Sequence, residues 1–558
     1  MKTVSDQILA NLKRVGVRKI FGIPGDTIDT LMESIRKDKE VDFIICRHEA
    51  NAAFMASGHS RITGELSVVV ACQGPGANNL VNGLADAAGD RIPVLAITGQ
   101  VDSSRIGTGM PQESSQLKLF DDITVFNSEA RNVENLMNML HIGVHSALEK
   151  KGVAHISIPS DIMKEKPIDY PSLEEHQGDQ SFLQAPENLM EEALERIDKS
   201  KKTAILYGAG AKGFEGQVYA LSKQLNAPLI YTTRSKELID NNSPNVIGGI
   251  GIMGNHPANK YLHECDLLII LGCNFAFKEF YPNVDMIKVD NNSFRLTAHL
   301  QVAYPILSDL GPVLSYWLTH VSPRDSDTFL KSAQKDWIRY IDEFNFKGIP
   351  KLRSKYLHPA IVMAHLNEFF QDDAIIVGDS GTTTIWFNNV VQMRPSQRFI
   401  WSANLATLGG ALGQAIGASF AAPEQPVYVL AGDGGFHMSL PDLITAQMYH
   451  RNIVCIILNN SSYGFIEFEE RSHDGNVPSG THFLNPDYAK LAESHGAKGY
   501  RVENEESFKE VLQQIESPSG LVVIDCIVDP KAILIPPAVT KEMAGNYIKS
   551  EIKSWFNS

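Results

Sequence analysis

The sequence predicts an α/β fold: three doubly wound, parallel-sheet domains in a row. Three observations predict it. Short, almost unbroken apolar runs of strand length alternate with helical patterns along the chain. Such runs belong to strands buried on both faces, as when helices cover both sides of a parallel sheet. Two polar stretches, at 165–187 and 321–356, divide the chain into blocks of similar size. At roughly 150 residues per domain, 558 residues hold three or four domains.

The first block, 1–165, contains Phe43-Ile44-Ile45, Ser67-Val68-Val69-Val70-Ala71 and Pro93-Val94-Leu95-Ala96-Ile97 as buried strands. The stretch after it holds three prolines and many acidic residues and reads as a linker. In the second block, 188–320, the strand Ala204-Ile205-Leu206-Tyr207 runs into Gly208-Ala209-Gly210-Ala211-Lys212-Gly213. Asp266-Leu-Leu-Ile-Ile-Leu271-Gly272 and Asp285-Met-Ile-Lys-Val-Asp290 repeat the strand-then-polar-turn theme. The third block, 357–530, contains Ala374-Ile-Ile-Val377, Val427-Tyr-Val-Leu430 and Ile453-Val-Cys-Ile-Ile-Leu458, and a tail of 531–558 follows. No short-period repeat is present.

Composition removes several function classes. Lys and Arg number 50 against 65 Asp and Glu, a net charge of −15. A nucleic-acid partner calls for a basic face that displaces counterions from phosphates, so this role is not expected. The negative charge reads as solubility. The six cysteines have no CxxC spacing and sit mostly in apolar runs, as buried thiols of a reducing compartment do. The start, Met1-Lys-Thr-Val-Ser-Asp6, has no signal-peptide pattern. The longest uncharged stretch, Phe399 to Pro423, is rich in Gly and Ala and too weakly apolar to span a bilayer. It reads as a buried helix in a cytoplasmic protein.

The strongest chemical signal lies in the third block. Gly432-Asp433-Gly434 follows one strand and Asn459-Asn460 the next, so both clusters stand at carboxyl ends of parallel strands, where open α/β sheets bind ligands. Asp and Asn oxygens suit Mg²⁺, which completes its shell with phosphate and water, and the glycines let backbone approach a phosphate.

This pair resembles the signature of thiamine-diphosphate enzymes. The resemblance implies that Asp433, Asn460 and the backbone carbonyl of Ser462 ligate Mg²⁺, with Gly432, Gly434 and Gly435 along the diphosphate. It also calls for a glutamate beside the aminopyrimidine ring. Arg47-His48-Glu49, after Val41-Asp-Phe-Ile-Ile-Cys46 and before a helical run, supplies Glu49. Phe21-Gly-Ile-Pro-Gly25-Asp26, Gln73-Gly-Pro-Gly-Ala-Asn78-Asn79 and Gln112-Glu113 look like the family's other pyrimidine-domain turns, which brings Gly25, Asn78 and Gln112 into the expected site. Leu408 matches the aliphatic prop beneath the bent cofactor. The order of these elements covers nearly the whole chain and resembles pyruvate oxidases and acetolactate synthases. The blocks are then a pyrimidine-binding, a central FAD-type and a diphosphate-binding domain.

Both subgroups can carry FAD in the middle block. Gly208 and Gly210 fit a GxGxxG turn that could meet a pyrophosphate. Thr232-Thr233-Arg234-Ser235-Lys236, the turn Leu271-Gly-Cys-Asn274-Phe-Ala-Phe277 and Val289-Asp290-Asn291 look like flavin-contacting turns, so Arg234, Asn274 and Asp290 join the expected set. The strand Pro228-Leu-Ile-Tyr231 ends without the acidic residue of a nicotinamide site, which argues against a plain dinucleotide-binding protein. A non-catalytic thiamine-binding regulator would lack Glu49, Asp433 or Asn460, and all three are present.

Tyr463-Gly464-Phe465-Ile466 followed by Glu467 to Glu470 looks like pyruvate oxidases, with Phe465 near a flavin and Glu469 on the substrate side. The resemblance implies oxidative decarboxylation of a 2-oxo acid, pyruvate first, with oxygen plus phosphate or a quinone as acceptor. The alternative, suggested by Arg47 to Met55, is a carboligase that joins two 2-oxo acids. Two departures stand out: Pro111 replaces a pocket phenylalanine, and His437 a small residue by the diphosphate. The family forms its site between two chains, so a homodimer or homotetramer is expected. The tail places Ile548, Ile552, Trp555 and Phe556 on one helical face, which is expected to dock on its own subunit rather than on a membrane.

Overall fold

The computed structural model describes residues 2–174, 183–344, 356–515, 520–532, 534, 537 and 541–557. Three six-stranded parallel sheets follow one another along the chain. The first is built from β1 (Lys19–Gly22), β2 (Asp42–Ile45), β3 (Ser67–Ala71), β4 (Val94–Gln100), β5 (Phe126–Glu129) and β6 (Val153–Pro159). The second has β7 (Thr203–Tyr207), β8 (Leu229–Tyr231), β9 (Val246–Gly249), β10 (Leu267–Leu271), β11 (Asp285–Asp290) and β12 (Tyr304–Leu307). The third has β13 (Ile375–Gly378), β14 (Arg398–Trp401), β15 (Val427–Gly432), β16 (Ile453–Asn459), β17 (Lys498–Val502) and β18 (Leu521–Ile527). The expected α/β architecture of three doubly wound parallel sheets is what the chain adopts.

Strand order places the sites. The first sheet runs β2-β1-β3-β4-β6-β5 and the third β14-β13-β15-β16-β18-β17, the same winding used twice. The order reverses direction between β1 and β3 and between β13 and β15, and a crevice opens at such switch points. The middle sheet, β12-β11-β10-β7-β8-β9, has the doubly wound dinucleotide-binding order, with its switch between β7 and β10.

The first and third blocks share one core. Helix Glu49–Thr63 packs on helix Ala411–Ala421, and both are rich in Ala and Gly. A Cβ at Gly58 or Gly417 would strike a backbone carbonyl of the facing helix, so only glycine allows this approach. The contact repeats by local two-fold symmetry. Asp442 of the third block accepts the Arg47 backbone N–H at 2.7 Å, and Asp90 of the first accepts that of Ala403 at 3.1 Å. The stretch Phe399 to Pro423, expected to be one buried helix, is helical only over Ala411–Ala421; Phe399 to Trp401 belong to β14 and 402–410 form a loop.

Two stretches differ from the sequence reading. The connection at 321–356 contains helix Thr328–Glu343, which buries Ala333, Trp337 and Tyr340 against the middle block. Its apolar spacing is helical, and the surrounding charge masks it. In the 165–187 stretch, Ile168, Tyr170 and Leu173 pack on the first block's outer core, while 175–182 lies outside the described residues.

The tail forms helix Lys541–Asn557 on its own chain, by a different face from the one its apolar residues mark. Ser550 and Ser554 accept from the buried Arg471 guanidinium at 3.2 Å each, Glu551 pairs with it at 2.9 Å, and the Tyr547 ring lies tilted against Phe468, 6.2 Å between centroids. Ile548 and Ile552 are exposed, and the side chains of Trp555 and Phe556 lie outside the described residues. Among the described residues no helix is long and apolar enough to cross a membrane. All six cysteines are free thiols, five buried and Cys72 half-buried.

Candidate functional site

The third sheet builds one half of the site at its switch point. Asp433 follows directly on β15, and its carboxylate accepts from Ser461 N–H and the Asn485 amide at 2.6 Å each and from Gly434 N–H at 3.0 Å. Burial pushes this carboxyl above its ordinary range. Asn460 follows β16 and its side-chain oxygen accepts from Ser462 N–H at 3.1 Å. The neighbouring Asn459 turns inward and donates to Asp525 at 2.8 Å, so the two asparagines have separate jobs. Tyr488 supports the cluster from behind, with its hydroxyl 3.1 Å from the Asp433 carbonyl. Asn485, Tyr488 and Asp525 escaped the sequence reading because nothing in their spacing ties them to the two motifs.

Opposite Asp433, β13 ends in Asp379-Ser380-Gly381 and helix Thr382–Val390 begins. The hydroxyls of Ser380 and Thr383 are buried there with no hydrogen-bond partner, and both residues line the cavity that also holds Asp433 and Asn460. A buried, unpaired hydroxyl costs about 1–3 kcal/mol, so these two are built for an acceptor that enters the cavity. Two hydroxyl donors facing one carboxylate, one amide oxygen and the nearby Ser462 fit a diphosphate held through Mg²⁺. Among the described residues no cluster of three His, Cys, Asp or Glu side chains exists, so the donor set is not that of a transition metal. Ser380 and Thr383 were not foreseen, because serine and threonine beside a glycine look like any turn.

The cavity measures about 1530 Å³. A pocket for one small molecule runs to roughly 300–1000 Å³, so this one has room for two ligands. Its third-block wall includes Gly432, Gly434, Gly435, Asn460, Ser462, Leu408, Phe465 and Glu469. Leu408 is half-buried on that wall rather than packed in the core. Phe465 and Glu469 lie one turn apart on helix Gly464–Asp474, and burial raises the Glu469 carboxyl above its usual range.

The same cavity continues into the middle block, where Gly208, Gly210, Arg234, Asn274 and Asp290 all line it. Several of these residues have structural work as well. A Cβ on Gly208 would sit 2.5 Å from the Gly272 carbonyl, so the crossing of two turns already requires glycine there. Arg234 pairs with Asp90 of the first block at 3.4 Å and also donates to the Asp90 carbonyl. Asp290 closes its own turn by accepting Asn292 N–H at 3.0 Å, and burial raises its pKa. Arg295 and Trp401, neither foreseen, each present a buried N–H without a partner to this cavity.

Gly25, Glu49, Asn78 and Gln112 are elsewhere, at the switch point of the first sheet, and none lines the cavity. Glu49 opens its helix and accepts from the Asn79 amide at 2.9 Å. Gln112 has a left-handed backbone, φ 66°, and accepts from Gln73 at 3.1 Å. Asn78, Pro111 and Gln112 are exposed. Within one chain, then, the expected residues fall into two separate groups. His437 is exposed, with its ring nitrogen 3.2 Å from the Tyr488 hydroxyl, and does not line the cavity.

Three family profiles match in order: the N-terminal thiamine pyrophosphate binding domain of thiamine pyrophosphate enzymes over residues 2–119, their central domain over 190–316 and their C-terminal binding domain over 379–526. A Bacillus subtilis protein named as thiamine pyrophosphate-containing, YdaP, is 32% identical over 562 aligned residues, covering 100% of this chain and 97% of its own. A pyruvate oxidase of Lactiplantibacillus plantarum is 28% identical over 93% of this chain and 88% of its own. An acetolactate synthase large subunit of Lactococcus lactis is 28% identical over 98% and 97%.

Proposed function

Since this chain belongs to the thiamine pyrophosphate enzyme family, and works on a 2-oxo acid with that cofactor, we propose that it is a flavin-linked oxidase of the pyruvate oxidase kind. The observation that carries the reading is the single cavity that joins a dinucleotide-type switch point to the Asp433 and Asn460 cluster. When bound, thiamine diphosphate supplies an electron sink for loss of carbon dioxide and FAD a two-electron acceptor. Asp433, Asn460 and the Ser462 carbonyl would hold Mg²⁺, and Ser380 and Thr383 would donate to the diphosphate. Leu408 would serve as the cofactor's aliphatic prop. Glu49 would be the proton partner of the aminopyrimidine ring. Glu469 would serve the substrate side and Phe465 would lie near the flavin. Arg234, Asn274, Asp290 and Arg295 would hold the nucleotide.

Glu49 does not reach this cavity in its own chain, so the active form is a homodimer or homotetramer in which a second copy supplies it. The acceptor is oxygen with phosphate, or a quinone. The six free thiols are in keeping with a cytoplasmic protein. A second reading, a carboligase, draws support from relatives named acetolactate synthase that align over nearly the whole chain. The absorption spectrum of the purified protein, followed by pyruvate without oxygen, separates the two. Bleaching of a flavin band supports the oxidase. A flavin that stays oxidised while acetolactate accumulates overturns it in favour of the carboligase. If pyruvate does neither, larger 2-oxo acids are the substrates to try, in keeping with the smaller side chain at Pro111.

A further inference from the structure

Leu408 sits in a segment with little core of its own. Residues 402–410 connect β14 to helix Ala411–Ala421, and Asn404, Leu405 and Ala406 are exposed. The segment is fixed at two points by carboxylates from different blocks. At its start, Asp90 accepts the backbone N–H groups of Ala403 and Asn404 at 3.1 and 3.2 Å and the Asn404 amide at 2.8 Å. At its end, both Asp379 oxygens accept Gly409 N–H, at 3.0 and 3.1 Å. Both carboxylates are buried. Asp90 is braced by Arg61 at 2.9 Å and by Arg234. Asp379 touches the diphosphate turn as well, since a Cβ on Gly435 would overlap its carboxylate.

We propose that Asp90 and Asp379 are positioning residues that clamp the two ends of segment 402–410 and thereby set the height of Leu408 under the cofactor. Asp379, wedged between Gly409 and Gly435, registers the prop against the diphosphate turn. Asp90 does the same against the first block. The inference rests on the reading of Leu408 as the prop. Misplacing a reacting group by about 1 Å can cost on the order of 100-fold in rate, so a small shift of the segment lowers turnover without loosening the cofactor's diphosphate.

The test uses Asn404→Ala, Asp379→Asn and Leu408→Ala, singly and combined, in the full-length protein with thiamine diphosphate and Mg²⁺. Asn404→Ala leaves the Arg61, Asp90 and Arg234 ion cluster in place, so it carries the test if the Asp379 variant does not fold. Each clamp variant is expected to lower kcat about tenfold with thiamine diphosphate affinity, by calorimetry, within about threefold. In the Leu408→Ala background the clamp substitutions should cost nothing further, because they act through that side chain. Losses that add to that of Leu408→Ala, or that appear only as weaker cofactor affinity, overturn the clamp. Amide exchange in the cofactor-free protein separates the two levels of the argument. Faster exchange at Ala403 in Asn404→Ala and at Gly409 in Asp379→Asn is the expected result, and unchanged exchange in both overturns the clamp. Faster exchange in a protein that binds no thiamine diphosphate leaves the clamp standing and removes the thiamine reading.

Discussion

Lys236 lies fully buried where the middle and third blocks meet, and its hydrogen-bond partners, the Tyr231 hydroxyl at 2.9 Å and the Asn388 carbonyl at 3.2 Å, are both neutral. Burial pushes its amine down to about 7. A free lysine titrates near ~10.4, so as the pH falls from there the unfolded chain takes up a proton that the fold resists. Stability is therefore lost across the window from about 10 down to about 7 and levels off below. Lys236→Met removes this titration. The gap in Tm between that variant and the native protein should widen as the pH is lowered from about 9.5 to about 7, in a series of thermal melts, and a gap independent of pH would contradict it. At the site, Glu49→Gln keeps the shape but not the proton and should cut turnover by about 10²–10⁴-fold with cofactor affinity little changed. Asp433 was legible from its motif. Asp90, Asp379, Ser380 and Thr383 were not, because a carboxylate or hydroxyl becomes important only once folding has buried it beside a particular backbone.

Among the elements, strands buried on both faces were the readable ones. Ser67 to Ala71, Asp285 to Asp290 and Ile453 to Leu458 show as apolar runs because helices cover both sides of each sheet. β14 (Arg398–Trp401) and β17 (Lys498–Val502) are edge strands: the apolar residues of β14 merge with the uncharged stretch read as a helix, and β17 is mostly polar and half-exposed. The tail teaches the converse lesson. Ile548 and Ile552 of its apolar stripe face out, while Ser550 and Ser554 turn toward the Arg471 guanidinium. Arg471 also bonds Glu467 at 3.0 Å, on the helix that carries Phe465 and Glu469. Arg471→Met should therefore free helix Lys541–Asn557 and speed trypsin cleavage at Lys549 and Lys553 by about tenfold, equivalent to about 1.4 kcal/mol of easier local opening. Cleavage at the native rate would show that the helix is held by other contacts.

At the scale of the molecule, two windings of one topology face each other through a shared core, and a third sheet adds a dinucleotide-type crevice. The three-sheet layout was readable from length and from the spacing of the apolar runs, although both expected linkers hold packed residues. The separation of Glu49 from Asp433 within one chain was implied by the family resemblance and not by the residues themselves, since sequence order says nothing of which way each switch point opens. It has a direct consequence for assembly. Glu49→Gln and Asp433→Asn are each expected to be inactive. A dissociated and reassociated equal mixture should regain about a quarter of native activity, because one site in each mixed dimer then has both intact halves. No recovery would place both halves within one chain. The net charge of −15 plays no part in the proposed chemistry, in which Mg²⁺ and buried donors would meet the cofactor's phosphates locally. The central claim is that thiamine chemistry and a flavin share one cavity. It is tested most directly by following the flavin band of the anaerobic protein as a 2-oxo acid is added, with Mg²⁺ and thiamine diphosphate present and then stripped. Rapid bleaching that needs both, and that Glu49→Gln abolishes, is the predicted result. A flavin band that is absent, or that bleaches equally well without thiamine diphosphate, would contradict the account.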